Sequence, residues 1–142
     1  MSLVLDASAA LAWIFERADP QEAALADRLL DDIAAQPVWV PSLWYLEVAN
    51  ALLIAERRGV AKEAQVIDYL QRLGRLPIST DDADLSRRQE VIVALGRQYQ
   101  LTAYDASYLE LALRTASSLA TFDTKLAMAM QQTGGQVYRR SD

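Results

Sequence analysis

Short apolar runs alternate with helix-length stretches along this chain, and that alternation limits the folds open to it. Leu3-Val4-Leu5, Val38-Trp39-Val40 between Pro37 and Pro41, and Ser118-Leu119-Ala120-Thr121-Phe122 are too brief for helices and read as buried strands. Between them lie helical patterns. An alanine-rich stretch covers residues 7–14. Asp19-Pro20-Gln21-Glu22 has the cap, proline and glutamate of a helix start, with Leu25, Leu29 and Ile33 following at helical spacing. Ser42 can cap a helix over 43–57 that Gly59 ends, and a helix from about residue 61 carries Ile67, Leu70 and Leu73 before Gly74. Further helices are expected over 85–98, from Thr102-Ala103-Tyr104-Asp105, which matches a capping box, and over 124–132 before Gly134-Gly135. Leu76-Pro77-Ile78 reads as an edge strand, since proline donates no ladder hydrogen bond, and Gln136-Val137-Tyr138 as a last strand. Such alternation implies a parallel sheet covered on both faces. The expected class is α/β, a three-layer α/β/α sandwich with a mostly parallel central sheet, and 142 residues fit a single domain over 1–142.

Four acids interrupt this apolar framework: Asp6 after the first strand, Glu47 inside an otherwise apolar helix, Asp105 at a helix start and Asp123 after the fourth apolar segment. Ionised carboxylates are costly to bury unless paired or coordinated. Each has an ordinary reading. Asp6, Asp105 and Asp123 suit helix caps, and Glu47 with Asn50 one turn on can reach the solvent rim. What links them is position, because strand ends, a helix start and an inward helical position can border one crevice at the carboxyl ends of the strands. The chain has no histidine and no cysteine, so a metal held there has oxygen ligands, which favours magnesium or manganese. Ser8 and Thr121 each lie two residues from one of these acids and can support a carboxylate through their hydroxyls. Asp81, Asp82 and Asp84 form a second acidic cluster, read as a solvated helix-start group and left out of the site.

The formal charge of −5 gives no bulk attraction to phosphates, so a nucleic-acid substrate would depend on local arginines and bridging metal. Arg57, Arg58, Arg72, Arg75, Arg87, Arg88, Arg139 and Arg140 read mostly as surface residues. The N-terminus meets an acid too early for a signal peptide, and the expected location is cytoplasmic. Hydrophobic residues make up 52% of the chain, an excess that an oligomer would absorb. Trp13, Phe15, Trp39 and Trp44, with the apolar helix around Val48 and Leu52, point to a homodimer.

Four segments carry a resemblance: Leu5-Asp6-Ala7-Ser8-Ala9-Ala10-Leu11, Glu47-Val48-Ala49-Asn50, Leu101-Thr102-Ala103-Tyr104-Asp105-Ala106-Ser107-Tyr108 and Leu119-Ala120-Thr121-Phe122-Asp123. In order and spacing the chain resembles the PIN-domain ribonucleases, specifically the VapC toxins of type II toxin–antitoxin pairs. The resemblance implies a compact α/β/α fold and a magnesium- or manganese-dependent endoribonuclease. It implies an RNA substrate, inhibition by a cognate VapB-type antitoxin, and a homodimer. By matching positions, Asp6, Glu47, Asp105 and Asp123 become the catalytic, metal-holding acids, with Ser8, Asn50 and Thr121 in support. Two rivals remain at this level. A haloacid-dehalogenase-type phosphatase also places an aspartate after its first strand, but needs a second aspartate where this chain has Ser8. A non-catalytic PIN-like protein-binding module would not need all four acids.

Overall fold

A computed structural model describes residues 1–138. Its chain order is β1 (Leu3–Leu5), α1 (Ala7–Leu11), α2 (Pro20–Asp32), β2 (Val38–Val40), α3 (Leu43–Arg57), α4 (Glu63–Leu73), β3 (Ser79–Thr80), α5 (Gln89–Tyr99), α6 (Ala103–Arg114), β4 (Ser118–Ala120) and α7 (Thr124–Gln132). The strands form one parallel sheet in the order β3-β2-β1-β4. Leu3, Val4 and Leu5 have no exposed surface, and because successive strand residues point to opposite faces, both faces of β1 are covered. This is the expected three-layer α/β arrangement.

β1 is central. Leu3 pairs with Val38 on one side and with Ser118 on the other, and Leu5 pairs with Ala120, so the ends of β1 and β4 are level. Beyond β4, Val137 makes a single parallel bridge to Leu119, where an extra strand was expected over 136–138. The core gathers β1, β2 and β4 with Trp44, Val48 and Leu52 of α3, Tyr108, Leu109 and Leu111 of α6, and Leu126 of α7. Among the described residues no helix is long and apolar enough to cross a membrane. Arg139 and Arg140 lie outside the described residues.

Several local expectations shift. The edge strand forms at Ser79–Thr80 and not at 76–78, because Pro77 lacks a donor and the Ile78 N–H turns back to the Leu76 carbonyl at 2.8 Å. α4 buries Val66, Tyr69 and Leu73 and leaves Ile67 and Leu70 exposed; the Tyr69 hydroxyl donates to the Ala10 carbonyl at 2.6 Å, which fixes that face. α3 is not buried all round: Trp44 is enclosed by its own chain, whereas Tyr45, Leu46 and Leu53 face outward, Leu46 at 75% exposure. The helix expected over 85–98 starts as a 3-10 turn at Leu85–Arg87, capped by Asp84 on the Ser86 N–H at 3.0 Å, and becomes α-helical at Gln89.

Asp81 is not the solvated acid expected. The Arg114 guanidinium donates to its Oδ2 at 2.6 Å and to Glu110 Oε1 at 2.7 Å, and Arg88 stands 3.5 Å from the same Glu110 oxygen. Glu110 has a side chain only 5% exposed. Removing a partner from a buried ion pair strands the remaining charge, at a cost of about 3 kcal/mol. Arg114→Met is therefore expected to lower unfolding free energy in urea by roughly that amount, and adding Glu110→Gln should restore much of the loss. A change in Arg114→Met within the error of the urea curve would contradict this account of the network.

Candidate active site

Asp6 ends β1 and occupies the N-cap position of α1, yet its side chain makes no cap hydrogen bond. Its Oδ2 instead accepts from the Ser8 and Thr121 hydroxyls, each at 2.6 Å. Those hydroxyls are themselves placed by backbone donors: the Phe122 N–H donates to Ser8 Oγ and the Asp123 N–H to Thr121 Oγ1, both at 2.9 Å. These bonds also explain why β4 stops at Ala120 and not at Phe122, since side-chain acceptors take over from the ladder. Asp6 is only 6% exposed.

Asp123 keeps the capping role foreseen for it, its Oδ1 accepting from the Leu126 N–H at 3.1 Å. At Asp105 only half of the capping box forms, with the Thr102 hydroxyl oxygen accepting from the Asp105 N–H at 3.1 Å. Glu47 reaches in from α3, and the Tyr108 hydroxyl of α6 donates to its Oε1 at 2.5 Å. Tyr108 is wholly buried. Nothing in the sequence reading marked Tyr108 as part of the site, although it lies three residues after Asp105 on the same helical face. Asn50 is exposed on α3, one turn after Glu47.

One electrostatic field joins the acids. Burial holds the Asp6 carboxyl above its ordinary value, and the Asp123 charge adds to that against the pull of the Ser8 and Thr121 hydroxyls. Burial also raises Glu47, with the charges of Asp6 and Asp105 adding and the Tyr108 donor opposing. Asp105 is raised by burial and by Asp123 and Asp6, and lowered by the Thr102 hydroxyl and by Lys125. Asp6 thus feels the charge of Asp123, Asp105 feels both, and Glu47 feels Asp6 and Asp105, which leaves a surplus of negative charge around Asp6. Among the described residues no three acidic side chains are set to close on one ion. Magnesium commonly keeps several waters and takes one or two carboxylates directly, so a loose set of oxygen donors with excess negative charge fits a hydrated hard cation. A recess of about 800 Å³ is lined by residues such as Leu43, Ile92 and Tyr104, and the four acids lie outside its lining.

The chain matches the family model of the PIN domain over residues 3–129, and it belongs to the PIN-domain family. It is 31% identical over 129 residues to Ribonuclease VapC3 of Pyrobaculum aerophilum, across 89% of this chain and 93% of that protein. The crystal structure of PAE2754 from Pyrobaculum aerophilum has the same fold, with a TM-score of 0.67 and 23% identity, covering 91% of this chain and 79% of that one. The crystal structure of FitAcB from Neisseria gonorrhoeae matches with a TM-score of 0.63 and 16% identity over 96% of each chain. Family membership sets the haloacid-dehalogenase alternative aside, in keeping with a Ser8 whose hydroxyl is committed to Asp6.

Carboxyls held above their ordinary values of 3.8 and 4.5 keep protons in the native state that the unfolded chain has released. Their stabilising contribution is complete below those values and is lost as pH rises through the elevated ones. Metal-free protein should therefore lose stability relative to Asp6→Asn as pH climbs from about 4 towards 7. Denaturation curves of both proteins in chelator check this, and parallel pH profiles would contradict it.

Proposed function

We propose that this PIN-domain chain is a magnesium- or manganese-dependent endoribonuclease, acting as the toxin of a toxin–antitoxin pair. The observation that carries the reading is the electrostatic coupling of Asp6, which follows β1, to Asp123, which follows β4, and to Asp105 and Glu47, in a chain similar over most of its length to a protein named as a VapC ribonuclease. On this reading Asp6, Glu47, Asp105 and Asp123 hold the cation, and Ser8 and Thr121 orient Asp6. Asn50, exposed on α3, has the weaker support. A bound divalent ion supplies Lewis-acid polarisation of the phosphodiester and an activated water at neutral pH.

The chain's own groups do the rest. The two hydroxyls engage Asp6 Oδ2 and leave Oδ1 without a side-chain donor among the described residues. Asp123 ties the loop after β4 to the start of α7 through its cap, so its carboxylate is held to that turn. The chain has no histidine to serve as general base. Attack by water rather than by the ribose 2′-hydroxyl leaves 5′-phosphate and 3′-hydroxyl ends. A VapB-type antitoxin is the proposed inhibitor, the cytoplasm the proposed location, and a homodimer of single-domain protomers spanning 1–142 the proposed unit. Exposed Tyr45, Leu46, Leu53 and Val93 support self-association. Light scattering should give twice the protomer mass; the protomer mass alone would contradict the dimer.

The decisive assay is cleavage of end-labelled RNA with metal titration. Asp6→Asn is expected to lose activity by at least ~100-fold, the scale on which one preorganised electrostatic group acts. Its fold should persist, because an amide oxygen still accepts from Ser8 and Thr121 and carries no charge to bury. Wild-type cleavage that is indifferent to chelator, or products ending in a 2′,3′-cyclic phosphate, would refute the mechanism. Absence of any nuclease activity would favour a non-catalytic protein-binding module.

A further inference from the structure

Tyr108 joins two of the elements that bear the site's acids. Its ring is wholly buried in the core, and its hydroxyl, on the helix that carries Asp105 one turn earlier, donates to Glu47 Oε1 on α3 at 2.5 Å. Glutamate has three rotatable side-chain bonds, and a half-buried one with no donor would swing to solvent and lose its place. We propose that Tyr108 is a positioning residue: it holds the Glu47 carboxylate over the crevice, occupies Oε1, and leaves Oε2 as the oxygen offered to a divalent cation. This inference rests on the metal-dependent reading of the site.

The geometry bears on it further: the phenol ring has no exposed surface, so the hydroxyl that donates to Glu47 Oε1 is fixed by core packing and not by solvent. Partners that orient ligand side chains in this way set metal affinity, typically by 10–100-fold on removal. Neighbouring hydroxyls do the same for Asp6 through Ser8 and Thr121, so each of the two acids has one oxygen engaged by hydroxyl donors. The donor to Glu47 is the one that comes from the protein core.

The test is a double-mutant cycle on manganese affinity, read by calorimetry on Tyr108→Phe, Glu47→Gln and the double variant. Tyr108→Phe keeps the ring and its packing. It should weaken manganese binding by about 10–100-fold, with kcat recovering to within a few-fold of wild type at saturating metal. In the Glu47→Gln background the same change should have no further effect. Equal losses in both backgrounds, or wild-type affinity in Tyr108→Phe, would overturn the inference. A readout that needs no variant at position 108 uses protein carrying 13Cζ-tyrosine: the resonance that moves on Glu47→Gln must also move when magnesium is added to wild type. A resonance that responds to Glu47→Gln and ignores magnesium overturns the inference. Wild-type protein that binds no divalent metal and cuts no RNA would remove the functional reading itself. Metal-dependent cleavage by wild type with unaltered affinity in Tyr108→Phe would remove only the role of Tyr108.

Discussion

A carboxylate at the end of a fully dehydrated strand is destabilising unless something answers its charge, and the surroundings of Asp6 are organised around that requirement. Two hydroxyls meet one of its oxygens, and backbone N–H groups from the loop after β4 hold those hydroxyls in place. No arginine or lysine pairs with Asp6 among the described ion pairs. Hydroxyls orient a carboxylate without neutralising it, so negative potential remains in the crevice, and Glu47, Asp105 and Asp123 add to it. Structural ion pairs in the same molecule follow a different rule: Arg114 lies directly on Asp81 and Glu110. The contrast marks one set of acids as compensated within the fold and leaves the other with no ion-pair partner among the described residues.

The parallel sheet makes the gathering possible. With β1 and β4 adjacent and level, the residues that follow them are neighbours, which brings Asp6 beside Thr121 although 115 positions separate them in the chain. α3 and α6 pack into the same core and carry Glu47 and Asp105, both half-buried, at its border. Site geometry is thus inherited from core packing. Loosening α6 would shift Asp105 and Tyr108 together, and with Tyr108 the carboxylate of Glu47.

The features legible in the sequence were those with a local signature. An acid directly after an apolar triplet announced Asp6 as a strand end, and Thr102 three residues before Asp105 announced a helix start. Glu47 stood out as the one charge in an apolar stretch. Other features depend on contacts that no local pattern encodes. In α4 the adjacent apolar pairs Val66-Ile67 and Tyr69-Leu70 leave the buried stripe ambiguous by one residue, and a hydrogen bond to Ala10 from another helix decides it. α3 is apolar on every side, so its periodicity could not say which face is covered. Asp81 resembled its solvated neighbours because its partner lies 33 residues away. Tyr108 fills the core, and the contact of its hydroxyl with Glu47, 61 residues away, is one that no local spacing encodes.

Manganese soaked into crystals of the protein and located by anomalous diffraction tests the central claim directly. The account predicts one or two peaks in the crevice bordered by Asp6, Glu47, Asp105 and Asp123, with oxygen and water ligands only. Well-ordered carboxylates with no manganese between them at millimolar metal, or peaks confined to other surfaces of the molecule, would contradict it.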